Sequence, residues 1–159
     1  MSAFSGLTAR IQVALAEADA LLPRIRTLVD RASYEDDFAV IDALALNLQS
    51  LYTGLEQVFE GIAREVDGSI PDGPNWHRDL LAQMAGAAGT ERPAVISATS
   101  FACLDAVRSF RHVVRNVYAT RLDAGRVVAL ASQTLECYAA VRAEVGAFAS
   151  LIAGNDQAG

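Results

Sequence analysis

Arg108-Ser-Phe-Arg-His-Val-Val-Arg-Asn-Val-Tyr118 reads as helix with two unlike faces. At roughly 100° per residue, Asp105, Arg108, Arg111, His112, Arg115, Asn116 and Tyr118 share one arc about 160° wide. Cys103, Val107, Phe110, Val113, Val114 and Val117 fill the opposite arc. The apolar arc can pack a core, while the polar arc gathers cations, one of the chain's 2 histidines and a phenol. Phe101 and Leu104 fall on the polar side. That placement suggests a second contact surface, of the kind through which small helical proteins self-associate.

Helical periodicity extends over the rest of the chain. A first helix is expected from about Ser5 to Arg31, with Leu7, Ile11, Leu15, Leu22, Ile25 and Leu28 at helical spacing and a kink or split at Pro23. Ser33 followed by acidic residues predicts the start of a second helix, about Tyr34 to Val66. Asp67-Gly-Ser-Ile-Pro-Asp-Gly-Pro-Asn75 must end it. Asn75 can cap a short helix from Trp76 to about Met84. A small-residue loop, Gly86 to Pro93, leads to a fourth helix, about Ala94 to Thr120, which carries the polar face. Leu122 to Gly125 turns the chain into a fifth, about Arg126 to Ile152, and the tail from about Gly154 is expected to fray. The expectation is an all-α, up-and-down antiparallel bundle of about five helices, one domain over residues 1–159.

Composition narrows the function. With 159 residues and 52% hydrophobic content, one domain can bury a substantial core. No run of eighteen apolar residues occurs, and the start lacks a basic segment leading into an apolar one. A cytoplasmic protein that does not span a membrane is expected. The net charge of −6 argues against indiscriminate nucleic-acid binding, so any phosphate contact must come from a local patch. All 13 basic residues are arginine, which base composition of the gene explains, but Arg108, Arg111, Arg115 and Arg121 cluster beyond that effect. Cys103 and Cys137 lack metal-ligand spacing and read as buried free thiols. No metal and no cofactor is expected.

Guanidinium beside imidazole is what phosphodiester chemistry needs. RNA can be cut by its own 2′-hydroxyl if one group takes the proton and a cation steadies the charged phosphorane. Imidazole suits the proton step and the planar guanidinium suits the phosphate. His112 has Arg108 four residues before it and Arg115 three after, so both flank it on one helical face. The competing reading is a solvated arginine face paired with Asp105. His77, after Trp76, reads as structural: the indole packs and the imidazole bonds a neighbouring helix. Glu56 and Glu60, four residues apart, read as surface or hydrogen-bonding residues, because a dimetal bundle would need more carboxylates and histidines at helical spacing.

Several segments together resemble a known family. They are Leu-Tyr52-Thr-Gly-Leu-Glu56-Gln-Val-Phe-Glu60, Val-Asp67-Gly-Ser-Ile-Pro71-Asp-Gly-Pro-Asn-Trp76-His77-Arg-Asp-Leu-Leu81, Arg92-Pro93 and Phe110-Arg-His-Val-Val-Arg-Asn-Val-Tyr118. The chain resembles HepT-like proteins of the HEPN superfamily, the toxin partners of minimal nucleotidyltransferase (MNT) antitoxins, over about Leu51 to Leu151. In that family an Arg is followed four to six residues later by His, often with Asn next to the Arg and Tyr two after the His. Arg111 matches the Arg and Tyr118 the Tyr. Between them the polar pair is exchanged, with His112 where Asn is usual and Asn116 where His is usual. Asn cannot accept a proton at neutral pH. Since His112 and Asn116 lie about 6 Å apart along the axis, a transfer of the task to His112 would require RNA to bind differently.

The resemblance implies a type VII-like toxin that cuts RNA without metal at a composite site, where the motif helices of a homodimer meet. Arg111 would stabilise the phosphorane, His112 would handle protons, Asn116 would orient the scissile group, and Arg108 and Arg115 would hold flanking phosphates. The nucleotidyltransferase partner would place AMP on Tyr118. The alternative is a weak or inactive HEPN module that holds the nucleotidyltransferase or a nucleotide phosphate.

Overall fold

A computed structural model describes residues 3–86, 92–115 and 122–157; for His112, Arg115, Asp156 and Gln157 the description is confined to the helical backbone. The described residues form an all-α helical bundle of five helices: α1 (Ser5–Ala32), α2 (Phe38–Ile62), α3 (Trp76–Ala85), α4 (Ala98–Arg115) and α5 (Ala124–Gln157). α1 packs on α2 and α5, while α4 packs on α5, α3 and α2. The core runs through the bundle from Leu7, Ile11 and Leu15 on α1, past Leu44, Leu48 and Phe59 on α2, to Val141, Val145 and Phe148 on α5.

Most departures from expectation lie at helix ends, where hydrogen bonding of a few residues decides the boundary. α1 is not split at Pro23 but runs through it. Ser33 does not start α2; its hydroxyl donates to the Asp30 carbonyl (2.6 Å) at the end of α1. Asp37 caps α2 instead, its carboxylate accepting from the Ala39 N–H at 2.9 Å. Beyond Ile62 the chain widens into a π-helical turn, Ala63–Asp67. Gly68 then ends it in the left-handed region at φ 71°, a conformation glycine adopts without a Cβ penalty. Asn75 stands at the N-terminus of α3 but its side chain makes no cap hydrogen bond.

α4 begins at Ala98 rather than Ala94. The Val95 and Ile96 N–H groups both donate to the Met84 carbonyl (2.8 and 3.2 Å), which ties this stretch to α3. Ser97 then caps α4, its hydroxyl accepting from the Ser100 N–H at 3.1 Å. Asp123 does the same for α5 through the Arg126 N–H (3.1 Å), and α5 continues to Gln157 where a frayed tail was expected.

Two packing expectations are corrected. Leu104 is buried in the core and Phe101 packs against it, so they do not form an exposed contact surface. The reason is that α3 packs on α4 as well as α2 and α5 do, which covers a flank that helical periodicity alone assigns to solvent. Cys103 and Cys137 are not free thiols. Thirty-four residues apart in sequence, they meet across the α4–α5 contact with Cα atoms 6.5 Å apart and form a disulfide.

By length and composition, Phe38–Asp67 and Ala124–Asn155 are long and apolar enough to cross a membrane. In the bundle part of each span is buried in the shared core.

Candidate active site

The site is assembled where α2, α3 and α4 meet, and at its centre is a buried carboxylate. Glu56 lies on the core face of α2, in line with Tyr52 and Phe59, and is only 5% exposed. A buried carboxylate is costly unless paired and hydrogen-bonded. Glu56 has two partners. Its Oε2 lies 2.7 Å from Nδ1 of His77 on α3, and its Oε1 accepts from a guanidinium N–H of Arg111 on α4 at 3.2 Å. One carboxylate thus ties three helices together and brings imidazole and guanidinium to its two oxygens.

Each partner is itself held. The His77 ring stacks on Trp76, with centroids 3.6 Å apart and planes inclined by 30°. The His77 side chain remains 29% exposed and that of Arg111 23%, so both reach solvent from a buried anchor. Further along the same face of α4, Arg108 Nε donates to Asp105 at 2.8 Å. Tyr52, one turn before Glu56, is buried. Burial and then the Glu56 charge push its phenol well above its ordinary range, against the opposing effect of Arg108, so it stays protonated.

A second cluster fixes the segment from which α3 emerges. Arg92, 6% exposed, spans both oxygens of Asp67 and also donates to the carbonyls of Gln83, Gly86 and Pro93. Gln83 donates to Asp67 as well, at 2.7 Å. Burial alone would raise the Asp67 carboxyl, but these hydrogen bonds and the Arg92 charge outweigh it and hold the carboxyl below its usual range. At the start of α4, Glu144 of α5 accepts from the Ser97 N–H and from the hydroxyls of Ser97 and Ser100. The outcome there is the same: burial is outweighed and the Glu144 carboxyl is held low.

Arg111 and Arg108 therefore stand on one face of α4, as the periodicity predicts, with Arg111 facing α2 and α3. His112 and Arg115 belong to α4, but their side chains lie outside the described residues, as do Asn116 and Tyr118 altogether. His77 does bond a neighbouring helix, as the sequence suggests. Glu56 is hydrogen-bonded but buried, and sequence reasoning missed its central place. A signal was available: Glu56 shares the apolar face of α2 with Leu48, Leu51, Tyr52, Leu55 and Phe59, and a carboxylate there must find cationic partners. Among the described residues no three His, Cys, Asp or Glu side chains gather as a metal site would need.

A family model described as HepT-like protein matches residues 43–152, which include all of this site. The chain belongs to the HepT-like family of the HEPN superfamily. The match begins on α2, ahead of Glu56, and ends on α5, so the helices that carry Glu56, His77 and Arg111 are those of the HepT-like unit. Among curated proteins and solved structures, no match is found. HepT-like proteins are generally part of toxin–antitoxin pairs.

Proposed function

We propose that this HepT-like protein is the toxin of a type VII-like toxin–antitoxin pair, a metal-independent endoribonuclease of the cytoplasm. The observation that carries the reading is Arg111. Its guanidinium is anchored by a buried carboxylate yet remains partly exposed, on a helix face that also holds Arg108. An arginine presented this way keeps N–H groups free for a phosphate, and its planar fork binds two oxygens at once. In this reading Arg111 stabilises the phosphorane, Arg108 and Arg115 hold flanking phosphates, His112 handles protons and Asn116 orients the scissile group.

Two copies would bring their α4 helices together at a homodimeric cleft, doubling a positive charge that the chain's net −6 otherwise opposes. An MNT-type nucleotidyltransferase would silence the toxin by placing AMP on Tyr118. The added phosphate would occupy the arginines meant for RNA. The experiment is RNA cleavage by purified protein in excess chelator, parent against Arg111→Ala. Cleavage by the parent and its loss in the variant are expected; equal rates would remove Arg111 from the chemistry.

A second reading has one specific observation in its favour. Asn116 stands where the family pattern has His, and an amide cannot accept a proton. A catalytically inactive module would then use Arg111 and Arg108 as a phosphate clamp for a nucleotide or for the nucleotidyltransferase partner. Intact RNA with the parent protein, together with retained partner binding, would select it.

A further inference from the structure

The family's histidine position in the motif holds Asn116, and a second imidazole, that of His77, is present on another helix. We propose that His77 is the general base of this site and that Glu56 is its positioning residue. The inference rests on the ribonuclease reading above and moves the proton-accepting step from His112 to His77.

The geometry has the parts a base needs. Glu56 Oε2 engages Nδ1 of His77 at 2.7 Å. With the carboxylate accepting there, the neutral ring carries its proton on Nδ1 and leaves the lone pair on Nε2. Among the described residues Nε2 has no hydrogen-bond partner, and the side chain is 29% exposed, which leaves a fixed imidazole partly open to a substrate. Stacking on Trp76 and the bond to Glu56 restrict the ring in two directions. Glu56 is already charge-paired with Arg111, so its bond to His77 is not required to neutralise it.

The same carboxylate sets the base beside the phosphate-binding group. Imidazole and guanidinium occupy opposite oxygens of Glu56, separated by no more than one carboxylate and two hydrogen bonds. A phosphate on the exposed edge of Arg111 would present its neighbouring ribose towards His77. The 2′-hydroxyl proton passes to Nε2 as the 2′-oxygen bonds to phosphorus. The bond from phosphorus to the 5′-oxygen breaks, and that oxygen takes a proton from water. The imidazolium returns its proton to solvent, leaving a 2′,3′-cyclic phosphate and a 5′-hydroxyl. Charge and protons balance with no further reactant.

The test is cleavage of a single-stranded RNA by full-length parent, His77→Gln, His77→Ala and Arg111→Ala, each checked by thermal melting. Gln keeps a donor towards Glu56 but cannot act as a base at neutral pH. Loss of a general base typically costs about 10²–10⁴-fold, and a fall of that size is expected in His77→Gln with its melting transition retained. Added imidazole should restore part of the rate to His77→Ala, which a purely structural histidine would not allow. If His77→Gln cuts at the parent rate while Arg111→Ala does not cut, the ribonuclease reading stands and the base assignment falls. Absence of rescue in folded His77→Ala also overturns the assignment. A parent that leaves RNA intact removes both.

Discussion

Glu56 and His77 are 21 residues apart in sequence, on different helices, and meet at 2.7 Å. The contact joins the core-facing side of α2 to the shortest of the five α-helices. α3 has only ten residues, too few to be stable alone, so it depends on contacts of this kind for its position.

Replacing Glu56 by Gln tests that dependence. The amide keeps the shape but removes the charge facing Arg111, and a hydrogen bond to a charged group contributes about 1.5–3 kcal/mol. Because Arg111 is partly exposed, the lower end of that range is expected, a loss of about 1.5–2 kcal/mol in chemical denaturation. Unchanged stability would show that the carboxylate does not tie the three helices together.

Asp67 and Glu144 make stability depend on acid. Both carboxyls are held below their unfolded values by hydrogen bonds, and in Asp67 by Arg92 as well. Their contribution is fully present above the ordinary carboxylate range and is lost as pH falls through the lowered folded values. The melting temperature should therefore fall as pH drops below about 4. The fall should be smaller in a Glu144→Gln variant, measured as the slope of stability against pH. Identical slopes in parent and variant would exclude Glu144 as a contributor.

The Cys103–Cys137 disulfide spans a loop of intermediate length, with a sequence separation of 34. Cross-links of this kind typically contribute about 2–4 kcal/mol. Reduction, or Cys137→Ser, should lower the melting temperature without abolishing the transition, since the surrounding helices keep their apolar core. In the cytoplasm proposed here thiols are kept reduced, so the reduced bundle must remain folded. Loss of all cooperative melting in reductant would contradict this.

Gly61 lies where α2 meets α1. A Cβ there would stand 3.0 Å from Cδ1 of Leu7, which is itself buried. Gly61→Ala can be absorbed by a small shift of Leu7. Gly61→Val cannot, and overpacking of this kind costs about 1–3 kcal/mol. Equal stability of the two variants would mean that the helices separate freely at this point.

Much of the bundle was legible because its causes are local. Apolar residues every three to four positions specify helices whichever neighbour they meet. The breaker-rich stretch from Asp67 to Asn75 ends the helical run that continues α2 through its π turn, and the ordering of Arg108 and Arg111 on one face follows from helix geometry alone. The ends were less legible. Ser33 and Asp37 are both chemically suited to cap α2, and only the hydrogen bonds formed distinguish Ser33 at the end of α1 from Asp37 at the start of α2.

The sequence by itself determined that this chain is helical and that arginines gather on one face of α4. It also determined the resemblance that the family match bears out. The tertiary structure decided what lies opposite those arginines. It buried Leu104, joined Cys103 to Cys137, and placed Glu56 between His77 and Arg111. The physical reason is that periodicity fixes the direction of a side chain relative to its own helix axis. Which helix stands in that direction depends on how all five share one core. A carboxylate 21 residues from its histidine and 55 from its arginine has no local signature of either partner.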